Sequence, residues 1–385
     1  MQVRGFLLEH EVEKGVDLCH KGVLLDSTSD CNINPVAALL RAEIARDRAI
    51  SFARFMELSL YHPEHGYYRQ SIIGKSGDFF TSVSVGKLFG QLLAFWLVEE
   101  LRHIPGQIDL VEAGAHDGTM ARDILEWLER NEPEFAARAR YTILEPNELL
   151  RARQQETLKT FPNVRWLLSV HELPMLRGAI FSNELLDAFP VHVFRWNRSR
   201  HRWREACVGF EDWKFVWTPS DQLTVSAILG LFDLKPLENF LPDQYTVECN
   251  PFAEAWWRYA AGHLEEGLLC AFDYGDEATS LWSPIRPHGT LRAFKNHKLV
   301  ADVLANPGEQ DITSSVNFTR IRQAGESASL VSRPLESQES FLGKIATRFY
   351  KKAPEANELR QLQTLTHPEH MGRAFKVLVQ SRTSS

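Results

Sequence analysis

Glu112, Gly114, His116 and Gly118 stand at alternate positions in "IDLVEAGAHDGTMARDIL" (108–125), and Glu145 follows in "YTILEP" (141–146). The stretch reads strand, glycine turn, helix, so backbone N–H groups and a helix N-terminus face whatever lies beyond the strand. A pyrophosphate would call for G-x-G-x-x-G, which this loop lacks. It fits the looser E/D-x-G-x-G-x-G spacing of S-adenosyl-L-methionine sites, apart from His116. That ligand carries no phosphate; it needs room for its methionine and adenosine parts and an acceptor for two ribose hydroxyls. Gly114 and Gly118 permit close backbone approach. Glu145 is placed to accept both ribose hydroxyls, as the acid after a dinucleotide loop does, and Glu112 to meet the ammonium. Ala115, His116, Thr119 and Pro146 join the expected cofactor set. His116 reads as a rim residue rather than a base or metal ligand, because no second histidine lies at ligand spacing. The same residues also fit a plain tight turn between solvated strand-end acids; the second acid, at the next strand end, favours the cofactor.

These residues need a scaffold, and the chain supplies an alternating one. "QIDLVEA" (107–113), "YTILEP" (141–146), "NVRWLLS" (163–169) and "GAIFSNE" (178–184) read as strands, with helices expected over 119–131 and 147–158, the second capped by Asn147. This order predicts an α/β fold: a parallel sheet covered by helices on both faces. Apolar spacing predicts a helix from Pro35 to about Glu57 and another from Val85 to about His103, with an ordered loop over 60–82. Residues 1–35 are expected to be a tail and 36–105 a helical N-terminal region. The sheet domain covers 106–189 and 266–385, interrupted by an inserted α+β subdomain at 190–265. In that insertion "NRSR" turns a β-hairpin, and "FAEAWWRYAAGHL" (252–264) is helical. "GLLCAFDYG" (267–275) and "AFKVLVQSR" (374–382) return to the sheet.

Composition narrows the function. Of 385 residues, 44% are hydrophobic and 24% charged, ordinary for a globular chain with a real core. A formal charge of −7 argues against a general nucleic-acid surface. The basic strip "RWNRSRHRWR" (195–204) reads as a solvated hairpin, with partner docking the minority reading. Five scattered cysteines without a CxxC pair suggest neither disulfides nor zinc. No apolar run is long enough to span a bilayer. The first 35 residues carry six acidic and three basic side chains, unlike a transit peptide, and a cytoplasmic, bacterial-type location is expected.

Several motifs in one order add a resemblance: "SGDFFTS" (76–82), "LFGQLLAFW" (88–96), "EAGAHDGTMARDIL" (112–125), "ILEPNELLRARQQETL" (143–158), "SNELLDAFPV" (182–191), "HGTLRAF…H…DVLANPGEQDIT…VNF" (288–318) and "MGRAFKVLVQSR" (371–382). Over about residues 36–382 the chain resembles the MidA-like family of class I S-adenosyl-L-methionine-dependent methyltransferases. That family includes the mitochondrial protein arginine methyltransferase needed for complex I assembly. The resemblance implies a Rossmann-like seven-stranded sheet with an inserted subdomain, S-adenosyl-L-methionine as cofactor, and a protein arginine as acceptor, a respiratory-complex subunit being one candidate partner. The usual family loop is closer to E-x-G-P-G-x-G-T; Ala115, His116 and Asp117 depart from it. An arginine acceptor is planar and cationic and calls for carboxylates. Glu184 and Asp187 are therefore expected to orient it, with Asn183 locking the backbone or touching the cofactor. The alternative is that Ser182 or Asn183 merely caps a short helix. Gly77 and Asp78, with Phe79, are expected to cover the cofactor. Asp273, Tyr274, His288 and His297 are placed on the active-site side without a defined role. Two competing readings stay open here: a non-catalytic assembly factor on the same fold, and an NAD-type oxidoreductase.

Overall fold

Period-two alternation builds the central sheet. The computed structural model describes residues 34–70, 81–224, 234–296 and 298–383. Its main strands are β1 (Ile108–Ala113), β2 (Ala139–Leu144), β3 (Arg165–Leu167), β4 (Leu176–Asn183), β5 (Leu264–Asp276), β6 (Val331–Ser332) and β7 (Phe375–Arg382). They lie in the order β3-β2-β1-β4-β5-β7-β6. β1 to β5 run parallel; β7 is antiparallel to β5, and β6 to β7. Two short strands, Val316–Asn317 and Glu336–Ser337, add to β5 and β7. Ile108, Leu110, Phe181, Phe272 and Val377 pack into one layer, with residues of the helices Leu88–Leu101, Thr119–Asn131 and Gln338–Phe349. Val111, Ile180, Leu269 and Leu378 pack into the other, with the helices Pro251–Gly262 and Phe318–Ser327. Alternate residues of β1, β4, β5 and β7 thus point to opposite layers, as a doubly covered sheet requires.

The inserted strands form a second, antiparallel sheet: His192–Asn197, Arg202–Glu211, Lys214–Ser220 and Thr246–Cys249. "NRSR" does turn a hairpin, with Asn197 paired to Arg202. A strand from far upstream joins this sheet, as Ile50 and Ser51 pair with Val208 and Cys207. That strand splits the helix expected over 35–57 into Pro35–Asp47 and Phe52–Tyr61. The break is local: Arg48 takes a left-handed φ of 68°, and the Ser51 hydroxyl oxygen accepts from the Arg54 amide at 3.2 Å, starting the second helix.

Packing regroups two elements. Val36, Leu40, Phe52, Phe55 and Met56 share a core with Val193 and Val208 of the inserted sheet, whereas helix Leu88–Leu101 packs on the main sheet. The single helical region expected over 36–105 therefore serves two cores. Likewise Trp256, Trp257 and Ala260, placed by sequence in the insertion, bury against the main sheet. A third small sheet, Arg292–Lys295, Lys298–Val300 and Asp311–Thr313, was not expected from the sequence; its strands are too short to show a period.

Candidate active site

Between β1 and β4 the strand order reverses, and at such a point the loops after the two strands part to leave a crevice. A cavity of about 520 Å³ lies there, lined by the segments after β1, β2 and β4, by Tyr61 and Tyr68, by Thr290, Arg292 and Phe294, and by Asp311 and its neighbours Thr313 to Ser315.

The loop after β1 forms its floor. Gly114 and Gly118 have φ of 73° and 81°, and His116, with φ 48°, adopts the left-handed backbone that a glycine would hold there. A side chain at Gly114 would press on Leu185 of the loop after β4, so the two loops meet at this glycine. The Gly118 amide donates to the Ala115 carbonyl at 2.8 Å, and Asp117 accepts from the Thr119 amide at 2.9 Å, fixing the entry to helix Thr119–Asn131. Burial alone would raise the Asp117 carboxyl, but its bonds to His116 and Thr119 outweigh that and bring it down to about 2. His116 lines the cavity and keeps a buried Nε2 with no hydrogen-bond partner.

Glu112 and Glu145, the two acids expected at the cofactor, both line the cavity. Glu112 is 1% exposed and accepts from the Tyr141 hydroxyl at 2.5 Å; burial, which outweighs that bond, raises its carboxyl to about 8. Glu145 is held from behind by the Asn147 amide at 2.9 Å and the Gln154 side chain at 3.1 Å, and burial raises it to about 7. Asn147 also caps helix Glu148–Thr157, so the chain past Pro146 is fixed on the cavity wall. Ala115 and Thr119 line the same wall. Gly77 and Asp78, with Phe79 and His297, lie outside the described residues.

Past β4 the chain makes a tight turn. Asn183, Glu184 and Asp187 all line the cavity. No extended helix follows, only a single 3-10 turn over Leu186–Ala188, so neither Ser182 nor Asn183 serves as a helix cap here. Glu184 has a left-handed φ of 53°, and its carboxylate accepts from the Asn183 side chain at 3.0 Å. Burial and the nearby Asp187 raise Glu184 to about 8, while burial, Asp273 and Asp311 hold Asp187 well above the usual carboxylate range.

Asp273 proves to be an anchor. It is fully buried, and its carboxylate accepts from the amides of Leu185 at 3.1 Å, Leu186 at 2.8 Å and Tyr274 at 2.8 Å. It thereby shapes the turn that presents Glu184 and Asp187. Tyr274 lines the cavity; from the 288–297 segment, Thr290, Arg292 and Phe294 do so in place of His288.

Tyr61, Tyr68 and Asp311 also line the cavity, though no sequence motif marks them as site residues. The Tyr61 hydroxyl donates to the Ala188 carbonyl at 2.8 Å, and that of Tyr68 to Asp311 at 2.9 Å. The only cue was composition: 60–68 is dense in His, Gly and Tyr, and Asp311 falls in the "GEQDIT" motif with no chemistry attached.

Raised carboxyls have a measurable consequence. Glu112, Glu145, Glu184 and Asp273 sit at about 8, 7, 8 and 7 in the fold, against about 4 to 4.5 when unfolded. Over that window the native state holds more protons than the unfolded chain, so stability falls as pH rises. The thermal midpoint of the unliganded protein is expected to drop steadily from about pH 5 to about pH 8 and then level off. A midpoint that climbs across this range would show that the carboxyls are ionised in the native state.

A parallel five-strand run, a reversed β7 between β5 and β6, and a glycine loop at the switch point define a class I methyltransferase. The family described as "Putative S-adenosyl-L-methionine-dependent methyltransferase" matches residues 92–334, and the chain belongs to it. The Drosophila melanogaster "Protein arginine methyltransferase NDUFAF7 homolog, mitochondrial" is 28% identical, covering 91% of this chain and 86% of its own length. The Homo sapiens "Protein arginine methyltransferase NDUFAF7, mitochondrial" is 26% identical, covering 92% and 86%. A crystal structure of a Burkholderia thailandensis protein bound to S-adenosyl-homocysteine matches with a TM-score of 0.77 at 29% identity, covering 90% of this chain and 92% of that one. The chain is thus an S-adenosyl-L-methionine-dependent methyltransferase. Among the described residues no helix is long and apolar enough to cross a membrane, and no group of three or more His, Cys, Asp or Glu could hold a metal ion.

Proposed function

We propose that the enzyme methylates an arginine side chain of a protein partner. The observation that carries this reading is the wall beside the cofactor loop, where Glu184 and Asp187 line one cavity with Gly114 and Glu145. The names of the curated relatives support the same acceptor. A respiratory-complex subunit as partner rests on the family resemblance alone.

In this reading Glu145 accepts the ribose hydroxyls, Glu112 meets the ammonium, and Gly114 and Gly118 let the backbone close on the cofactor. Ala115, His116, Thr119 and Pro146 form the surrounding wall. The residues present fit the group: the acids are backed by fixed donors, and the His116 Nε2 lacks a protein partner. When bound, the cofactor supplies an activated methyl group on a sulfonium. The protein's part is alignment and exclusion of water. Burial raises the Glu184 and Asp187 carboxyls above the usual carboxylate range, and an entering cation favours their charged forms. Their bidentate bonds then fix the plane of the guanidinium.

The test uses methyl-labelled S-adenosyl-L-methionine and a protein extract, followed by acid hydrolysis and separation of the amino acids. Label recovered as methylarginine supports the assignment. Label in another amino acid, with the cofactor bound normally, overturns the acceptor while leaving the methyltransferase intact.

A further inference from the structure

Asp311 stands outside the β4 turn, on the small sheet that the sequence did not foretell, yet it lines the same cavity as Asn183, Glu184 and Asp187. It is 5% exposed, and its carboxylate accepts from the Tyr68 hydroxyl at 2.9 Å. Its strand is tied to the turn: the Ser314 amide donates to the Asp187 carbonyl at 3.0 Å, and the Ser315 amide to the Thr290 hydroxyl at 3.1 Å. Glu248 of the inserted sheet in turn accepts from the Thr290 amide at 2.9 Å and its hydroxyl at 3.0 Å. Two carboxylate-bearing segments are thus locked together across the cavity wall.

A second observation points to a ligand there. Asn183 is 9% exposed and lines the cavity, and its Oδ1 is buried without a hydrogen-bond partner. Buried acceptors are normally satisfied. The unmet demand is for donors, and a guanidinium offers five N–H groups and no acceptor. The rings of Tyr61 and Tyr68, 5.3 Å apart, add faces on which a planar cation stacks better than an ammonium does.

Building on the arginine reading above, we propose that Asp311, held by Tyr68, is a further acceptor-binding residue that grips the substrate guanidinium together with Glu184 and Asn183. Arginine is thereby distinguished from lysine by two walls of the cavity rather than by the β4 turn alone.

The probe is ethylguanidinium, titrated by ligand-observed NMR into the full chain saturated with S-adenosylhomocysteine, with ethylammonium and ethylurea as comparisons. Ethylguanidinium is expected to bind saturably and about tenfold tighter than ethylammonium, with no detectable binding of ethylurea. Asp311→Asn should weaken it by about tenfold and leave S-adenosylhomocysteine affinity within about twofold, while Asp311→Glu recovers part of the loss. Should Asp311→Asn fail to fold, Tyr68→Phe removes only the hydroxyl and should weaken ethylguanidinium by about threefold. Normal S-adenosylhomocysteine binding with no preference for ethylguanidinium, or with unchanged affinity in the variants, overturns the proposal. Loss of S-adenosylhomocysteine binding by the parent protein would instead remove the cofactor assignments beneath it.

Discussion

Glu145→Ala is expected to weaken S-adenosylhomocysteine binding by about 10- to 100-fold. Hydrogen bonds to a charged partner contribute about 1.5–3 kcal/mol, and each 1.4 kcal/mol is about a factor of ten in affinity. The variant also leaves the Asn147 amide without its 2.9 Å acceptor and removes the 3.1 Å bond from Gln154, whose side chain keeps its bonds to the His116 carbonyl and to Trp166. Affinity should therefore fall through both lost contacts and a loosened wall. A pH signature separates the two. Burial holds the empty carboxyl at about 7, and two hydroxyl donors favour its charged form, so binding releases a proton and affinity rises between about pH 6 and pH 8. In Glu145→Gln that rise should vanish. Calorimetry at three pH values checks both; a variant that binds like the parent at every pH removes Glu145 from the cofactor site.

The second large effect belongs to Asp273, which touches neither donor nor acceptor in the proposed arrangement. Asp273→Ala leaves three amides, those of Leu185, Leu186 and Tyr274, without their acceptor. Each orphaned buried donor costs about 1–3 kcal/mol. Removing a buried acid that itself sits near 7 relieves part of the burial cost, so a net loss of about 3 kcal/mol is expected, or about 4 °C in thermal midpoint for a chain of this length. Methyl transfer should suffer more than stability. The turn carries Glu184 and Asp187, and displacing such groups by about 1 Å costs about 100-fold in rate. Cofactor affinity, which the proposed arrangement assigns mainly to the β1 and β2 loops, should change little. A variant with lowered stability but full turnover would show that the turn does not position the acceptor.

The main sheet was legible because its strands are buried on both sides and separated by capped helices. Gly118 at the start of helix 119–131 and Asn147 at the start of 148–157 mark boundaries with local chemistry. The β1 loop was legible for the same reason, since glycines at fixed offsets constrain the backbone. His116 illustrates the limit: residue type argued for a gap in the motif, while the backbone there holds the left-handed conformation all the same. What stayed hidden is what long-range packing decides. Tyr68 and Asp311 are 243 positions apart, and no periodicity links them. Asp273 looked like an ordinary strand-end acid; only the fold shows that the neighbouring turn brings its amides to it. The small sheet that carries Asp311 has strands of three or four residues, too short for alternation to register.

The pairing of Ile50–Ser51 with Cys207 and Val208 bears on how the chain is made. On the ribosome, helices Pro35–Asp47 and Phe52–Tyr61 emerge with Phe52, Phe55 and Met56 only partly covered, because the partners Val193 and Val208 lie more than a hundred residues downstream. At about 5–20 residues per second, that face waits roughly seven to thirty seconds for the inserted sheet. The face begins to close when the inserted sheet leaves the exit tunnel, and Ala293, Leu304 and Ile312, which follow later still, complete it.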